Sequence, residues 1–324
     1  MKKRYVFARE DRPDAAWRAR FAAGRAEAES WYRQGRADPP SAATCRTALA
    51  RHMPELLAEY DRVCALVGDD ELAHCILSHY RPPPLVAGCS AAVWLGEGGP
   101  ALVRNYDYPL HVITDRFEST AWFGQEVIAK AQRPWGGCLD GMNEGGLVAS
   151  MNFGGSPAGG EGFSGILMLR YVLETCRRVD EAATAFSRIP IAQSQNVVLL
   201  DRFGDYAVLF LGPGRAPAAT QLRVCTNHQE QVVWHEHAAR WKTVERLQLV
   251  QTALADPAMT LADLTTLFLE PPVYSRNVAS TTAYTAVYRP AEGRVDYIWP
   301  GKVRTQYIGR FEACDYTHDY GELI

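Results

Sequence analysis

One stretch of the chain carries residue types suited to acyl chemistry: Gly88-Cys89-Ser90-Ala91-Ala92-Val93-Trp94, followed by Arg104-Asn105-Tyr106-Asp107. A small residue precedes a cysteine, and an apolar run of strand-forming type follows it. Gly96, Gly98 and Gly99 then supply a turn, and a second β-type run ends in alternating charges. The pattern reads as a hairpin that starts at Cys89 and brings Arg104 and Asp107 back to its mouth. A thiol becomes a nucleophile near neutral pH when a cation lowers its pKa and a base takes its proton. Arg104 is the candidate cation. No histidine stands between Cys89 and Asp107, the next being His111. If the chain is cut between Gly88 and Cys89, the new α-amine of Cys89 becomes the base, with an intrinsic pKa of about 8. Asp107 would orient that amine. Strand side chains alternate, so Arg104 and Asp107 reach one site only where a bulge or the strand end near Pro109 turns the chain. A buried, inert strand cysteine is the plainer reading of Cys89 alone. The glycine before it, the Pro-rich approach and the Arg and Asp beyond it favour the reactive one.

Acyl transfer also needs hydrogen-bond donors aimed at a developing oxyanion. Asn152 and Asn196 suit that task, each at the edge of an apolar β-type run, although Asn beside strand ends also serves turns. Asn143, before Glu144-Gly145-Gly146, reads as a turn residue. Three other motifs fall short. Gly160-Glu161-Gly162-Phe163-Ser164-Gly165 fits G-x-G-x-x-G, but the preceding β-type run ends near Phe153 and Asp201 lies too far on for a dinucleotide fold. Gly162-Phe163-Ser164-Gly165-Ile166 misses G-x-S-x-G at its last position. His235-Glu236-His237 places two histidines at i, i+2, which face apart on a helix, and reads as surface.

The elements that must position these residues divide at the Pro-rich stretch. Residues 11–80 are helical in character: Asp14 to Arg36, then about 42–66 restarted at Pro54, then about 69–80. Pro39-Pro40-Ser41 breaks the first pair and offers an N-cap. Arg81-Pro82-Pro83-Pro84 excludes helix and delivers the chain, extended, to Gly88-Cys89. From residue 89 onward β-type runs dominate: 89–94, 101–107, about 118–127, 146–152, 196–201, 206–211, 221–226, 281–288 and 294–299. Helical blocks at about 165–187 and 236–269 interrupt them. Segregated runs of strands and helices indicate an α+β chain in layers, and four layers, with two antiparallel sheets between helices (αββα), fit the order. The division expected is a helical segment 1–88 and a catalytic domain 89–324.

Composition narrows the function. At 324 residues, with 47% hydrophobic and 22% charged residues, the chain can bury a large core. A net charge of −3 with scattered arginines points to neither nucleic acid nor an anionic membrane. The first ten residues lack the apolar run of a signal peptide, and no stretch approaches the ~18 apolar residues of a membrane span. Eight cysteines, spread widely and without C-x-x-C, read as reduced cytoplasmic thiols rather than a disulfide frame or a zinc site, and no cofactor is expected.

Taken in order, the residues around Cys89, Gly141-Met142-Asn143-Glu144-Gly145-Gly146-Leu147, Met151-Asn152-Phe153-Gly154-Gly155 and Asn196-Val197-Val198-Leu199-Leu200-Asp201 resemble the acyl-coenzyme A:6-aminopenicillanic-acid acyltransferase family. That family belongs to the cysteine N-terminal-nucleophile (Ntn) hydrolases, with bile-salt hydrolases and penicillin V acylases as relatives. The likeness spans about residues 50–305. It implies a four-layer αββα sandwich and autoproteolysis before Cys89, with residues 1–88 retained as an α chain and residues 89–324 as the β chain. An acyl-Cys89 intermediate would form from a small N-acyl amide or acyl-CoA thioester. By the same resemblance Asn152 matches an active-site asparagine, Asn196 an oxyanion asparagine and Arg276, by position alone, an active-site arginine of the bile-salt branch. Thr226-Asn227-His228 resembles a stretch of the acyltransferase branch and reads as structural. The alternatives are a dinucleotide-binding oxidoreductase using the Gly160–Gly165 loop and an uncut, non-catalytic scaffold. Assembly of several copies is left open.

Overall fold

Alternation of side chains along the strands decides which layer each residue joins. The computed structural model describes residues 1–34, 39–83, 86–132 and 136–324. In chain order the elements begin with β1 (Lys2–Arg9), α1 (Ala15–Arg33), α2 (Ala42–His52), α3 (Leu57–Val67) and α4 (Glu71–Ser78). There follow β2 (Gly88–Trp94), β3 (Ala101–Asp107), β4 (Arg116–Thr120), β5 (Val127–Gln132), β6 (Gly137–Asn143) and β7 (Leu147–Phe153). Next come α5 (Gly165–Thr175), α6 (Val179–Arg188), β8 (Gln195–Asp201), β9 (Tyr206–Leu211), β10 (Ala218–Thr220) and β11 (Val224–Cys225). The chain closes with α7 (His235–Arg240), α8 (Thr243–Ala255), α9 (Leu261–Leu267), β12 (Thr282–Arg289), β13 (Arg294–Trp299), β14 (Lys302–Tyr307) and β15 (Cys314–Asp319).

The strands form two sheets. One runs β10-β9-β8-β7-β6-β5-β4-β1-β15, the other β11-β2-β3-β12-β13-β14. Cys89, Ala91, Val93, Leu102 and Tyr106 face the core between the sheets. Their alternates Ala92, Trp94, Ala101 and Val103 face outward and pack with Val250 and Leu254 of α8 and Leu264 of α9. On the far side α5 lies against β6 and β7, and α6 against β8 and β9. The order is therefore helices, sheet, sheet, helices, the four layers expected. Among the described residues no helix is long and apolar enough to cross a membrane.

The segment before Cys89 differs from its expected all-helical character. The helices are there, with Asp14 accepting from Ala16 N and Trp17 N, and Ser41 from Thr44 N, at their N-termini. Pro54–Leu56 forms one tight turn between α2 and α3. Lys2–Arg9, however, is a strand, antiparallel to β15 on one side and parallel to β4 on the other. Tyr5 and Phe7 are buried and point into the inter-sheet core while Arg4, Val6 and Ala8 beside them are less buried, a strand period too short to stand out in the sequence. Phe7 stacks on Phe117 at 4.7 Å between centroids and meets Tyr297 of the opposite sheet at 5.8 Å. Arg36 and Pro84, at the ends of two expected elements, lie outside the described residues.

The Gly160–Gly165 loop does not sit in a dinucleotide fold. The strands flanking it, β7 and β8, pair antiparallel with each other in direct contact. The phosphate-binding turn of such a fold belongs to a parallel βαβ unit. Here Ser164 caps α5 through Leu167 N.

Because Phe7 touches rings of both sheets, Phe7→Ala should destabilise the protein by about 3–5 kcal/mol. Urea unfolding followed by tryptophan fluorescence would measure it. A loss below about 1 kcal/mol would mean that β1 is a dispensable edge.

Candidate active site

The β2–β3 hairpin sets Cys89 opposite Tyr106, Ala91 opposite Arg104 and Gly88 opposite Asp107. Cys89 and Arg104 therefore share the inner face on a diagonal, and Asp107 stands on the outer face. This answers the tension raised by strand alternation: the two charged residues do not meet, but flank the cysteine from opposite sides of its sheet. A bulge between Thr282 and Tyr284 of β12 falls opposite the end of β3.

On the inner face, Arg104 Nη2 donates to Cys89 Sγ at 3.3 Å. Its Nη1 donates to Leu139 O and Asp140 Oδ2, both at 2.6 Å. Asp140 also accepts from Tyr284 Oη at 2.6 Å and from Tyr288 Oη. Burial opposes the charge on Arg104, but Asp140, and after it Cys89, carry its pKa above the ordinary arginine value. The thiol is governed by burial, which pushes its pKa up; Arg104 pulls it down by less. In the uncut chain Cys89 is thus a neutral thiol with a cation already beside it.

On the outer face, Cys89 is held through its backbone. Cys89 N donates to Asn227 Oδ1 at 2.9 Å, and Arg246 Nη1 donates to Cys89 O at 2.7 Å. Arg246 also reaches Ser90 Oγ, Asn227 Oδ1 at 2.8 Å and Asp107 Oδ2 at 3.8 Å. Asp107 accepts from Thr282 Oγ1 at 2.7 Å. Burial, partly offset by Arg246, raises the Asp107 pKa to about 6. A carboxyl raised above its unfolded value adds stability at low pH, and that contribution is lost as the pH rises through about 6.

Sequence reasoning missed Arg246, and it read Thr226-Asn227-His228 as structural where Asn227 in fact holds the Cys89 nitrogen. Asn227 follows β11, which pairs with β2 in a register that carries Asn227 towards Cys89. Its backbone N donates to Thr243 Oγ1 at 2.8 Å at the start of α8, and its Nδ2 to Phe153 O at 3.3 Å. Arg246 lies in the buried stripe Thr243, Arg246, Val250, Leu254 of α8. An arginine inside an apolar helical stripe is the signal that could have singled it out.

The other expected site residues, Asn152, Asn196 and Arg276, make their hydrogen bonds elsewhere than to Cys89. Asn152 and Asn196 are register partners on β7 and β8. Asn152 Nδ2 donates to Cys225 O and Thr226 O at 3.1 and 3.4 Å, and Asn196 Nδ2 to Thr226 O and His228 O at 3.1 and 2.9 Å. An amide nitrogen has two N–H bonds, so both pairs are committed to the segment that carries Asn227. Arg276 is exposed, and its Nη2 donates to Glu322 O at 2.7 Å. The guanidinium bound to the cysteine backbone is that of Arg246. Order along the chain does not report which arginine a helix turns inward.

Gly88 has a packing reason of its own. A Cβ there would lie 2.4 Å from Trp241 Cε3 and 3.3 Å from Asp107 Cβ. The indole lies directly on the residue before the cysteine.

The family model for acyl-coenzyme A:6-aminopenicillanic acid acyl-transferase matches residues 94–304. Among solved structures, a variant of conjugated bile acid hydrolase from Clostridium perfringens superposes with a TM-score of 0.52 at 12% identity, over 73% of this chain and 99% of that one. Penicillin V acylase from Agrobacterium tumefaciens gives 0.47 at 16% identity, over 68% and 86%. The Caenorhabditis elegans ortholog of N-acylethanolamine-hydrolyzing acid amidase gives 0.47 at 16% identity, over 63% and 93%. A search of curated proteins found no match. At these identities the likeness to the bile acid hydrolase is one of fold, and that fold is the Ntn-hydrolase sandwich.

Removing one member of a buried ion pair leaves an uncompensated charge and costs about 3–5 kcal/mol. Arg104→Met should show such a loss in urea unfolding, and Arg104→Met with Asp140→Leu should lose less than the two single changes added together. Strict additivity would mean that the two side chains are not coupled.

Proposed function

Because the chain belongs to the acyl-coenzyme A:6-aminopenicillanic acid acyl-transferase family, we propose that it is a self-processing cysteine amidohydrolase or acyltransferase acting on a linear amide or thioester. The observation that carries this reading is the grip on one residue: Arg104 on the sulfur of Cys89, Asn227 on its nitrogen and Arg246 on its carbonyl oxygen. An inert structural cysteine needs none of the three.

In processing, Cys89 Sγ attacks the carbonyl carbon of Gly88. The C–N bond breaks as the C–S bond forms, and the thiol proton ends on the Cys89 nitrogen. Water then cleaves the thioester, leaving a Gly88 carboxylate and a free α-amine on Cys89. That amine, already oriented by Asn227 Oδ1, is the base of the mature enzyme. It takes the thiol proton as Sγ attacks the substrate carbonyl and returns it to the leaving group. It then takes a proton from water in hydrolysis, or from an acceptor amine in transfer, as the acyl group departs.

Arg104 holds the thiolate form. The oxyanion falls to the amide of Asn227, one of whose N–H bonds is taken by Phe153 O. Asn152 and Asn196 act one step back by fixing residues 225–228. Asp107 holds Arg246, which fixes the backbone of Cys89. Arg276 has no part in this scheme. The halves 1–88 and 89–324 would stay associated, because β1 lies between β4 and β15. Seven of the eight cysteines are buried thiols, which supports a reducing, cytoplasmic setting.

Intact mass spectrometry should find two chains, the larger starting at Cys89, while Cys89→Ala stays a single chain of about 36.0 kDa. Asn227→Leu should slow the cleavage by about 10²–10³. Cleavage that persists in Cys89→Ala would remove Cys89 as the nucleophile.

Turnover should also carry an acid limb. With the Asp107 pKa at about 6, its carboxylate form is lost below that pH. The rate of the processed enzyme should therefore fall as pH drops through 6, and Asp107→Asn should flatten that limb. An unchanged limb in the variant would assign it to another group.

A further inference from the structure

Two buried polar groups stand apart from the acyl chemistry of Cys89. One is His237, which is buried, not at the surface where the His-Glu-His motif suggested, and packs between the rings of Trp234 and Trp241. The other is the set of phenols around Asp140, which reaches the cysteine through one guanidinium. An arginine and a carboxylate commonly meet through two parallel N–H···O bonds. Arg104 and Asp140 do not. Arg104 Nη1 reaches Asp140 Oδ2 at 2.6 Å, Nη2 is on Cys89 Sγ at 3.3 Å, and Nε has no hydrogen-bond partner among the described residues. The second carboxylate oxygen, Oδ1, accepts from Tyr288 Oη instead.

Register explains the one-pronged contact. β12 sets Ala286 opposite Arg104, with Tyr284 opposite Tyr106 on one side and Tyr288 opposite Leu102 on the other. The small Ala286 leaves the arginine room between two phenols. Tyr106 is the register partner of Cys89, so Tyr284 stands at the cysteine end of the guanidinium and Tyr288 at the end away from it. Tyr284 Oη donates at 2.6 Å to Oδ2, the oxygen that Arg104 already holds. Tyr288 draws Oδ1 away from the cysteine. A phenol has one proton to give, so with Tyr288 donating to Asp140, the 3.4 Å bond between Tyr288 and Tyr297 is donated by Tyr297. Burial first, and Asp140 after it, raise the pKa of Tyr284 and Tyr288 well above the ordinary phenol value, so both stay protonated donors.

We propose that Tyr288 is a positioning residue for the nucleophile: it holds Asp140 by one oxygen, keeps the carboxylate from chelating Arg104, and so reserves Nη2 for the sulfur of Cys89. The consequence for catalysis rests on the reading of Cys89 as the nucleophile; the geometry does not. Without the Tyr288 hydroxyl, Oδ1 is a buried acceptor that has lost its donor, which is costly. The guanidinium of the same ion pair offers a replacement in Nη2. Turning Oδ1 onto Nη2 removes the hydrogen bond to Sγ and brings a negative oxygen towards it. Both changes disfavour the thiolate. Loss of the Tyr284 hydroxyl leaves Oδ1 held, and loss of the Tyr297 hydroxyl acts one residue further back.

Alkylation of Cys89 by iodoacetamide across a range of pH, read by mass spectrometry of the peptide that contains it, gives the thiol pKa whether or not the chain is cut. Tyr288→Phe should lower the thiolate fraction at fixed pH by about 10-fold, Tyr284→Phe by less, and Tyr297→Phe by no more than about 2-fold. Adding Tyr288→Phe to Asp140→Asn should change nothing further, because the amide carries no charge to bring onto Nη2. In the processed enzyme kcat should fall with the thiolate fraction while KM stays in place. A tyrosine with a merely structural role would lower the melting temperature and leave the alkylation profile where it was. That result, or equal shifts in Tyr288→Phe and Tyr297→Phe, would overturn the proposal. If Asp140→Asn does not fold, the ranking of the three tyrosine variants decides. A shifted thiol pKa with self-cleavage and turnover at wild-type rates would keep the positioning role and sink the nucleophile reading. A wild-type alkylation profile in Tyr288→Phe, with Cys89→Ala uncut and inactive, would do the reverse.

Discussion

The contact on which the rest depends is the buried pair of Arg104 and Asp140, which joins the two sheets through the middle of the sandwich. Arg104 belongs to the six-stranded sheet and Asp140 to the nine-stranded one. Both are wholly buried, and two tyrosines complete the carboxylate. Taking such charges out of water is costly, and only close geometry with further hydrogen bonds offsets it. The pair therefore tolerates little sliding of one sheet over the other. That registration puts a fixed guanidinium beside the sulfur of Cys89. An apolar replacement could hold the sheets together equally well, but it would bring no charge to the thiol.

The outer face works on the same cysteine by different means. There the groups act on its backbone: Asn227 and Arg246 meet at Cys89, with Asp107 behind Arg246. Asn152 and Asn196 hold the carbonyls of the segment that leads to Asn227, and Thr243 at the head of α8 holds its nitrogen. Two layers of the fold thus converge on one residue, one from the core and one from the helices. Strand alternation, an obstacle when both charges are asked to reach one atom, is the device that separates these tasks.

What the sequence made legible follows from distance along the chain. The hairpin was readable because Cys89 and Arg104 lie within one turn of each other, and a period of two assigns them to one face. The four layers were readable from the blocks of strand and helix. The partner of the Cys89 nitrogen lies 138 residues away, and no local pattern states which strand borders β2. Arg276 fitted by order and Arg246 by position in space, and only the inward stripe of α8 separates them. Asn152 and Asn196 were found at the right strand edges, but the direction of their amides depends on residues 225–228, which arrive from elsewhere. Strand β1 escaped because the short run Tyr5-Val6-Phe7-Ala8, set between basic residues, is a weak signal until β4 and β15 lie beside it.

The place of β1 also bears on how this molecule could be made and remade. Among the described residues β15 has β1 as its single neighbour in the nine-stranded sheet, and β1 comes from the opposite end of the chain. While the polypeptide is continuous, assembling that sheet is an intramolecular event. Severed at Gly88, the same sheet needs two molecules to meet, so recovery from denaturation becomes second order and depends on concentration. The severed form would then be a product of its history, reached by folding first and cutting afterwards.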